Sequence, residues 1–441
     1  MELEKYSLGV GDRFGREGAA QLRALQKAEA LQVQVVPVWN KSNREHTIIG
    51  TSPEDTRVEA DEAAKACRWN HSYYVDADHI GLTTVDRFLK YSNFFTIDVA
   101  DYIGEPTNAE SMFTFIKEMG RFKGNLTIPG VDPPFEVTDI LLAEIARKYL
   151  YAVEEAGKVY RHIADKKGVG NFIPEVSFDE ANSPQTPTEL FFILGAIARE
   201  GIPIQTVAPK FTGAFLKGID YVGDIHRFAR EFEDDLAVLA YGVKVFSLPR
   251  NLKLSVHSGS DKFSLYPIMH KAMRKQDAGL HLKTAGTTWL EEVIGLSAAG
   301  GEGLKLAKEI YTQAHARYDE LCKPYLSVID IDRNLLPEPR EVELWDAMEF
   351  VEALRHDQTC PRYNVNFRQL VHVGFRLAAE TGHRYKDLLQ EFRVVIEDNV
   401  TNNLFRRHIQ PLFLGQVKDG QGDMMKGTTR SSERVSKAAG A

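Results

Sequence analysis

The sequence of 441 residues contains only three cysteines, Cys67, Cys322 and Cys360. Their wide spacing excludes a CxxC metal site and a disulfide framework, which is typical of proteins in a reducing compartment. Residues 1–6 are charged and lack the apolar stretch of a secretory signal, and no apolar run reaches the ~20 residues that a membrane helix needs. We therefore expect a cytoplasmic protein with no membrane partner.

Several common functional motifs are also missing. No GxGxxG follows a predicted strand, and there is neither a GxxxxGK[ST] phosphate loop nor a GxSxG nucleophile turn. The formal net charge of −8 gives no general attraction for nucleic acid. These absences disfavour dinucleotide-binding, P-loop, serine-hydrolase and nucleic-acid-binding proteins.

Eight short apolar runs alternate with longer helical patterns, which predicts βαβ units and a parallel sheet. Eight such units within one chain predict an α/β protein with a (β/α)₈ TIM barrel. The predicted strands are residues 6–11, 33–38, 73–78, 94–99, 172–178, 202–208, 252–257 and 280–284.

Two segments exceed this regular alternation. Residues 107–168 are mostly helical in pattern and predict an insertion after the fourth strand, within a barrel spanning residues 1–325. Residues 326–415 predict a helical C-terminal extension. Residues 416–441 are rich in Gly, Ser, Thr and Lys, and we expect them to be disordered.

Catalytic side chains of TIM barrels lie at the carboxyl ends of the strands, and these ends are unusually polar here. Strand alternation predicts which side chains face the interior. Burying so many ionisable groups unpaired would cost several kcal/mol each, so a metal ion and a polar substrate are the simplest explanation. The polar residues predicted inside or at the rim are Asp76, Asp78, His79, Glu175, Ser177, Asp179, Ser255, His257, His281 and Lys283.

Three histidines on different strands, His79, His257 and His281, would suit one divalent cation such as Zn²⁺, Mn²⁺ or Fe²⁺ if a carboxylate joins them. A structural explanation competes for every residue of this group. Asp78 and His79 are also compatible with a loop cap or an ion pair, and His281 with a hydrogen-bonded core histidine. The joint pattern favours a metal site, because all of these residues map to one end of one predicted barrel.

At these motifs the sequence resembles the tagaturonate/fructuronate epimerase family of bacterial hexuronate catabolism. The likeness spans nearly the whole chain except the tail, and it implies a metal-dependent 4-epimerase that interconverts D-tagaturonate and D-fructuronate. The similar segments are VDADH at 75–79, PEVSFDE at 174–180, SVHSGSDK at 255–262, HLKTAGT at 281–287, RYNVNFR at 362–368 and NVTNN at 399–403.

The expected chemistry follows from the carbon that inverts. C4 is not adjacent to the ketone, so its C–H bond is not acidic, and retro-aldol cleavage of C3–C4 followed by re-addition would invert it. This needs a Lewis acid, a base and an acid. With the resemblance, we predict Asp78 as the base and Glu180 as the acid, with Glu175 and Asp179 as substitutes. The predicted substrate-binding residues are Glu175, Asp179, Lys210, Ser258, Lys283 and Thr284, of which Lys210, Lys283 or Ser258 would bind the substrate carboxylate.

Three alternative functions remain open at this point. An aldose–ketose isomerase or a class II-type aldolase would use similar ligands. A non-catalytic barrel that binds a sugar acid is a second possibility. A metal-free enzyme that forms a Schiff base on Lys210 or Lys283 is a third. The sequence leaves the identity of the metal and the oligomeric state open.

Overall fold

The computed structural model describes residues 1–283 and 287–415. Within them, eight parallel strands close into a barrel in which each strand pairs with its neighbours in sequence and the last pairs with the first. The predicted TIM barrel is thereby confirmed. The strands are β1 (Tyr6–Val10), β2 (Val36–Ser42), β3 (Tyr74–Ile80), β4 (Phe94–Asp98), β5 (Ile173–Ser177), β6 (Thr206–Ala208), β7 (Lys253–His257) and β8 (Leu280–Lys283).

The barrel interior is apolar at its amino-terminal end and polar toward its carboxyl-terminal end. Its amino-terminal end is filled by a small apolar cluster of Leu3, Val36, Val38, Tyr74, Phe94 and Ile173. Polar side chains occupy the interior positions above this cluster. Apolar side chains between them, such as Leu254, Val256 and Leu282, point outward into the main core beneath the helices. The apolar cluster therefore closes one end, and the polar residues collect at the other.

Helices surround the barrel, and some differ from the predictions. The sequence pattern of residues 84–91 predicts a short helix, but the connection between β3 and β4 is short and contains only a 3₁₀ turn, Val85–Arg87. The predicted strand 33–38 starts and ends later, since the inward positions Asn40 and Ser42 at the mouth are polar and break the apolar pattern. The helices up to residue 283 are Gly18–Glu29, Asn43–Ile49, Pro53–Ala66, Ala109–Met119, Asp139–Lys167, Pro187–Arg199, Ile225–Phe246 and Tyr266–Gln276.

The segment after β4 contains two helices joined through a small antiparallel hairpin, Gly124–Leu126 with Phe135–Val137. The helix after β5 begins with residues that are typical of a helix N-terminus. Thr186 caps its first turn, Pro187 occupies the first position, and Glu189 completes the capping box.

The helices after β8 pack back onto the barrel. Arg393–Asn402 contacts both Thr287–Ala299 and Gly18–Glu29. The boundary placed at residue 325 stays a prediction, and the tail 416–441 lies outside the described residues. Across residues 1–283 and 287–415, no helix combines the length and apolarity needed to cross a membrane. The helices in this part are Thr287–Ala299, Gly301–Ala316, Tyr318–Cys322, Pro339–Leu344, Ala347–Leu354, Val365–Val373, Phe375–Glu380, His383–Glu391, Arg393–Asn402 and the π-helix Asn403–Leu414.

Candidate metal and acid–base centre

Residues paired across neighbouring strands form two polar layers inside the barrel. Because the pleat repeats every two residues, consecutive layers lie roughly 7 Å apart along a strand. The lower layer contains Ser7, His281 and Ser255, and the upper layer contains Gly9, Lys283 and His257. Side chains of the upper layer are the ones that reach the carboxyl end of the barrel.

Lys283 is the buried cation at the centre of the upper layer. Its Nζ lies 2.8 Å from Asp76 Oδ2, 2.9 Å from Asp78 Oδ1 and 3.3 Å from Glu175 Oε1, and it donates to Thr96 Oγ1 at 2.5 Å. Burial opposes its charge, but the three carboxylates outweigh burial and hold the pKa of Lys283 well above its usual range. Lys283 is therefore an ammonium ion fully engaged by the protein itself.

Gly9 of β1 provides the space that Lys283 occupies. A Cβ atom at position 9 would lie 2.9 Å from Lys283 Cγ and 3.0 Å from its Cα. Such distances are closer than van der Waals contact allows. A glycine within a strand often marks this kind of close approach.

A β-bulge in β3 turns both Asp78 and His79 toward the centre. Ala77 pairs with Phe95 and Ile80 with Ile97, so β3 has one residue more than β4 between these pairs. His79 takes a left-handed backbone conformation with φ of 52°. In a regular strand these adjacent side chains would point to opposite faces.

His79, Asp179 and His257 converge from β3, the end of β5 and β7. Their potential ligand atoms all lie within 4.8 Å of one another. Asp179 Oδ1 is 3.2 Å from His79 Nε2, and Asp179 Oδ2 is 3.0 Å from His257 Nδ1. Asp179 therefore lies between the two imidazole rings.

The outer nitrogen of each ring faces a second carboxylate. His79 Nδ1 lies 3.0 Å from Asp78 Oδ1, and His257 Nε2 lies 2.9 Å from Glu175 Oε1. These contacts fix the orientation of both rings. Carboxylates hold metal-binding histidines in the same way, through the nitrogen that does not bind the metal.

The pKa shifts show that this group of side chains strongly favours bound positive charge. Burial opposes protonation of both rings, yet the adjacent carboxylates raise the pKa of His79 well above its usual range and that of His257 to about 9. Burial also opposes ionisation of Glu175 and Asp179. Lys283 and His257 nevertheless hold the pKa of Glu175 well below its usual range, and His257 and His79 do the same for the pKa of Asp179. A divalent cation would provide this positive charge in place of the protons on the two histidines.

His281 does not join this group, contrary to expectation. It faces the interior as predicted but lies one layer deeper, where its Nδ1 is 2.9 Å from Ser7 Oγ. Burial, which outweighs the effect of Glu175, lowers the pKa of His281 to about 3. It is a neutral side chain beneath the charged layer.

Other predicted substrate-binding groups are engaged elsewhere. Lys210 Nζ donates to the carbonyl of Ala181 at 2.5 Å, and Ser258 Oγ donates to the carbonyl of Lys283 at 2.5 Å. Glu180 is exposed beside Asp179. Thr284 lies outside the described residues.

The sequence interpretation missed Thr96, Gly9 and a group of basic residues at the mouth that includes Arg13. Thr96 Oγ1 bonds both Asp76 and Glu175 and so links two carboxylates of the centre. Arg13 could have been found, since it follows β1 directly at the end of the barrel where functional groups collect. Gly9 carried the signal of a glycine inside a strand.

A closed (β/α)₈ barrel with buried carboxylates, histidines and a lysine at the carboxyl ends of its strands is the architecture of a TIM-barrel enzyme. The sequence profile of the tagaturonate epimerase family matches residues 1–411. The chain belongs to this family and is an epimerase, an enzyme of the isomerase class. The resemblance noted from the sequence is confirmed.

Individual relatives agree with this assignment. The chain is 28% identical over 381 residues to a tagaturonate/fructuronate epimerase of Thermotoga maritima, an alignment that covers 84% of this chain and 72% of the relative. The fold is similar to the glycerol-bound crystal structure of a fructuronate-tagaturonate epimerase from Cohnella laeviribosi, with a TM-score of 0.76 at 22% identity, covering 93% of this chain and 82% of that one. The native crystal structure gives a TM-score of 0.75 at 21% identity, covering 93% and 82%.

Proposed function

We propose that this epimerase interconverts D-tagaturonate and D-fructuronate with a divalent cation held by His79, Asp179 and His257. The observation that carries the cation is the placement of these three side chains, with ligand atoms within 4.8 Å of one another. The substrate pair is supported by the family match and by the named activity of the Thermotoga maritima relative.

The donor set fits a first-row divalent metal. Two imidazole nitrogens and a carboxylate oxygen would suit Zn²⁺, Mn²⁺ or Fe²⁺. Asp78 and Glu175 would hold the outer nitrogens of the two rings. His281 is not part of the proposed set because it lies in the layer below.

The proposed reaction is a balanced retro-aldol and aldol sequence. A base takes the proton of the C4 hydroxyl, the C4–O bond becomes a carbonyl, and the C3–C4 electron pair moves to C3 to form an enediolate with C2. The C4 aldehyde then presents its other face, the C3–C4 bond re-forms, and the C4 oxygen regains its proton. No oxidant or reductant is consumed. When bound, the cation would supply Lewis-acid chemistry to this sequence.

The contacts of Asp78 favour a positioning role over that of the base. Although burial opposes its ionisation, Lys283 and His79 hold the pKa of Asp78 far below its usual range, which makes it a weak base. Asp98 is a better candidate, because burial raises its pKa to about 6 at the end of β4, within electrostatic reach of His79 and Glu180. Glu180 remains the proposed acid, since it is exposed at the mouth next to Asp179.

Metal content and product identity test this proposal together. We expect stoichiometric metal in the purified enzyme, loss of epimerisation in EDTA and recovery with Mn²⁺, Zn²⁺ or Fe²⁺, with fructuronate formed from tagaturonate identified by NMR. A metal-free preparation that epimerises normally in EDTA would refute the cation. An aldose product would indicate an isomerase instead, and accumulating three-carbon fragments would indicate an aldolase.

Variants separate the roles. Asp179→Asn and Asp78→Asn should both lower metal content, the second through His79, whereas Asp98→Asn should keep the metal and lose turnover. Asp101→Asn, an exposed neighbour, is the matched control and should keep both. Full activity of Asp98→Asn would remove that carboxylate from the mechanism.

A further inference from the structure

A buried guanidinium at the barrel mouth has unused hydrogen-bond donors. Arg13 follows β1, and its side chain is 6% exposed. Among the described residues, its Nε and Nη1 are buried without a hydrogen-bond partner. Its Nη2 lies 3.4 Å from Glu45 Oε1, and the guanidinium rests 4.4 Å from the centre of the Phe375 ring. A charged guanidinium with two unused donors is suited to an additional acceptor.

Further donors surround Arg13. Both ring nitrogens of His372, which is 1% exposed, are also buried without partners among the described residues. Lys217 and Arg44 each lie over the ring of Tyr325, at 5.8 and 5.3 Å from its centre. The charge of Arg13 contributes to the lowered pKa of both His372 and Lys217, although burial is the larger cause for each. These side chains, Arg13, Arg44, Lys217 and the neutral His372, therefore share one electrostatic region at the barrel mouth.

The region lies at the same end of the barrel as the proposed metal centre, because Arg13 follows β1 and Lys217 follows β6. Lys217 is within electrostatic reach of Glu180, which directly follows Asp179 in the chain. Leaving buried donors unpaired is unfavourable, so a ligand that satisfies them is expected. The unused donors of the charged Arg13 guanidinium favour an anionic acceptor such as a carboxylate.

The cations expected from the sequence are not free for this task. Lys283 is surrounded by three carboxylates, and Lys210 Nζ is bonded to a backbone carbonyl. Arg13 is different, since it has buried donors left over.

We propose that Arg13, supported by Lys217 and His372, binds the C6 carboxylate of the uronate substrate and so selects uronates over neutral ketohexoses. This rests on the proposed function, because the carboxylate belongs to the proposed substrate. It also gives the site two anchors, one for the ketone end at the metal centre and one for the acid end. The second anchor would retain the three-carbon aldehyde acid while the C3–C4 bond is broken.

The test compares a substrate with and without the carboxylate. Kinetics of wild type, Arg13→Gln and Arg13→Lys are measured on D-tagaturonate and on D-tagatose. Loss of a charge-assisted pair should lower kcat/KM for tagaturonate by about 10- to 100-fold in Arg13→Gln, mainly through KM, with less than about a threefold change for tagatose. Arg13→Lys should recover part of the loss. Arg333→Gln is the matched control, because Arg333 is exposed and its only ion pair among the described residues is with Asp319.

A binding measurement keeps the test independent of turnover and of folding defects. Calorimetric titration with D-glucuronate should show about 10- to 100-fold weaker binding to Arg13→Gln, and Lys217→Met should weaken it in the same direction. Equal glucuronate affinity in wild type and both variants would overturn the inference, as would equal losses on the two substrates. If wild type did not epimerise tagaturonate at all, the proposed function itself would fail, whatever Arg13 does.

Discussion

Asp261 is the acceptor for a completely buried network that joins the end of β7 to the C-terminal helices. Its Oδ2 accepts from Arg368 Nη2 at 2.7 Å and from His356 Nδ1 at 3.1 Å, and its Oδ1 accepts from Thr287 Oγ1 at 2.9 Å. Asp261 and Arg368 are both 0% exposed. Although burial opposes ionisation, Arg368 and the two neighbouring histidines, His356 and His408, hold the pKa of Asp261 well below its usual range.

We predict that Asp261→Asn strongly destabilises the protein. Asparagine keeps the volume but removes the negative charge opposite Arg368, and its amide nitrogen must face donors that previously met an oxygen. Breaking a buried ion pair from one side costs about 3–5 kcal/mol, so the free energy of unfolding should fall by about that amount. The pair Arg333 and Asp319 is mostly exposed at 3.4 Å, so Asp319→Asn should cost no more than about 0.5 kcal/mol.

Urea unfolding in EDTA measures both variants, followed by tryptophan fluorescence and by circular dichroism. EDTA removes any contribution of bound metal to stability. A loss below about 1 kcal/mol in Asp261→Asn would refute the reasoning, because it would mean that the guanidinium of Arg368 needs no charged partner.

Three further predictions concern the barrel interior. Lys283→Met should lower the free energy of unfolding by about 3–5 kcal/mol in urea, since three carboxylates lose their cation, whereas exposed Lys275→Met should change it by less than about 1 kcal/mol. Gly9→Ala should reduce kcat, because its Cβ would lie 2.9 Å from Lys283 Cγ; unchanged kinetics would show that Lys283 shifts without consequence. Burial lowers the pKa of Lys253 to about 7. Between about pH 7 and 10 the Lys253 amine is therefore protonated in the unfolded chain but not in the folded one. The free energy of unfolding should rise with pH in this range, by up to about 1.4 kcal/mol per pH unit. Lys253→Met should remove that rise in urea titrations at about pH 7.5 and 9; an identical rise in both proteins would contradict the assignment.

The periodic pattern of apolar residues is the part of the sequence that predicted the fold and much of the site. The eight apolar runs were sufficient for the barrel, and a period of two correctly placed Ser255, His281 and Lys283 on the interior face. The depth of a side chain along the barrel axis cannot be predicted from this periodicity. It depends on the register between strands, which no single strand encodes, so His281 was grouped with His257 although it lies one layer below.

Partners were harder to predict than positions. Lys283 was a candidate for the substrate carboxylate, but three carboxylates from other strands already surround it. Such competition depends on contacts distant in sequence. Arg13 escaped notice for the opposite reason, because it lies in an ordinary Gly-Asp-Arg stretch after β1 and gains interest only from its burial and its unpaired donors.

Because of the bulge in β3, a site of this kind cannot be recognised from its residue types alone. Asp78 and His79 act on the same side only because one extra residue and a left-handed backbone at His79 interrupt the strand. The same letters, Asp-Ala-Asp-His, in an unbroken strand would send one of the two side chains into the helical layer. The site therefore depends on the backbone conformation of β3 as well as on its residue types. Deleting a single neighbouring residue would abolish the centre while leaving every proposed ligand in the sequence.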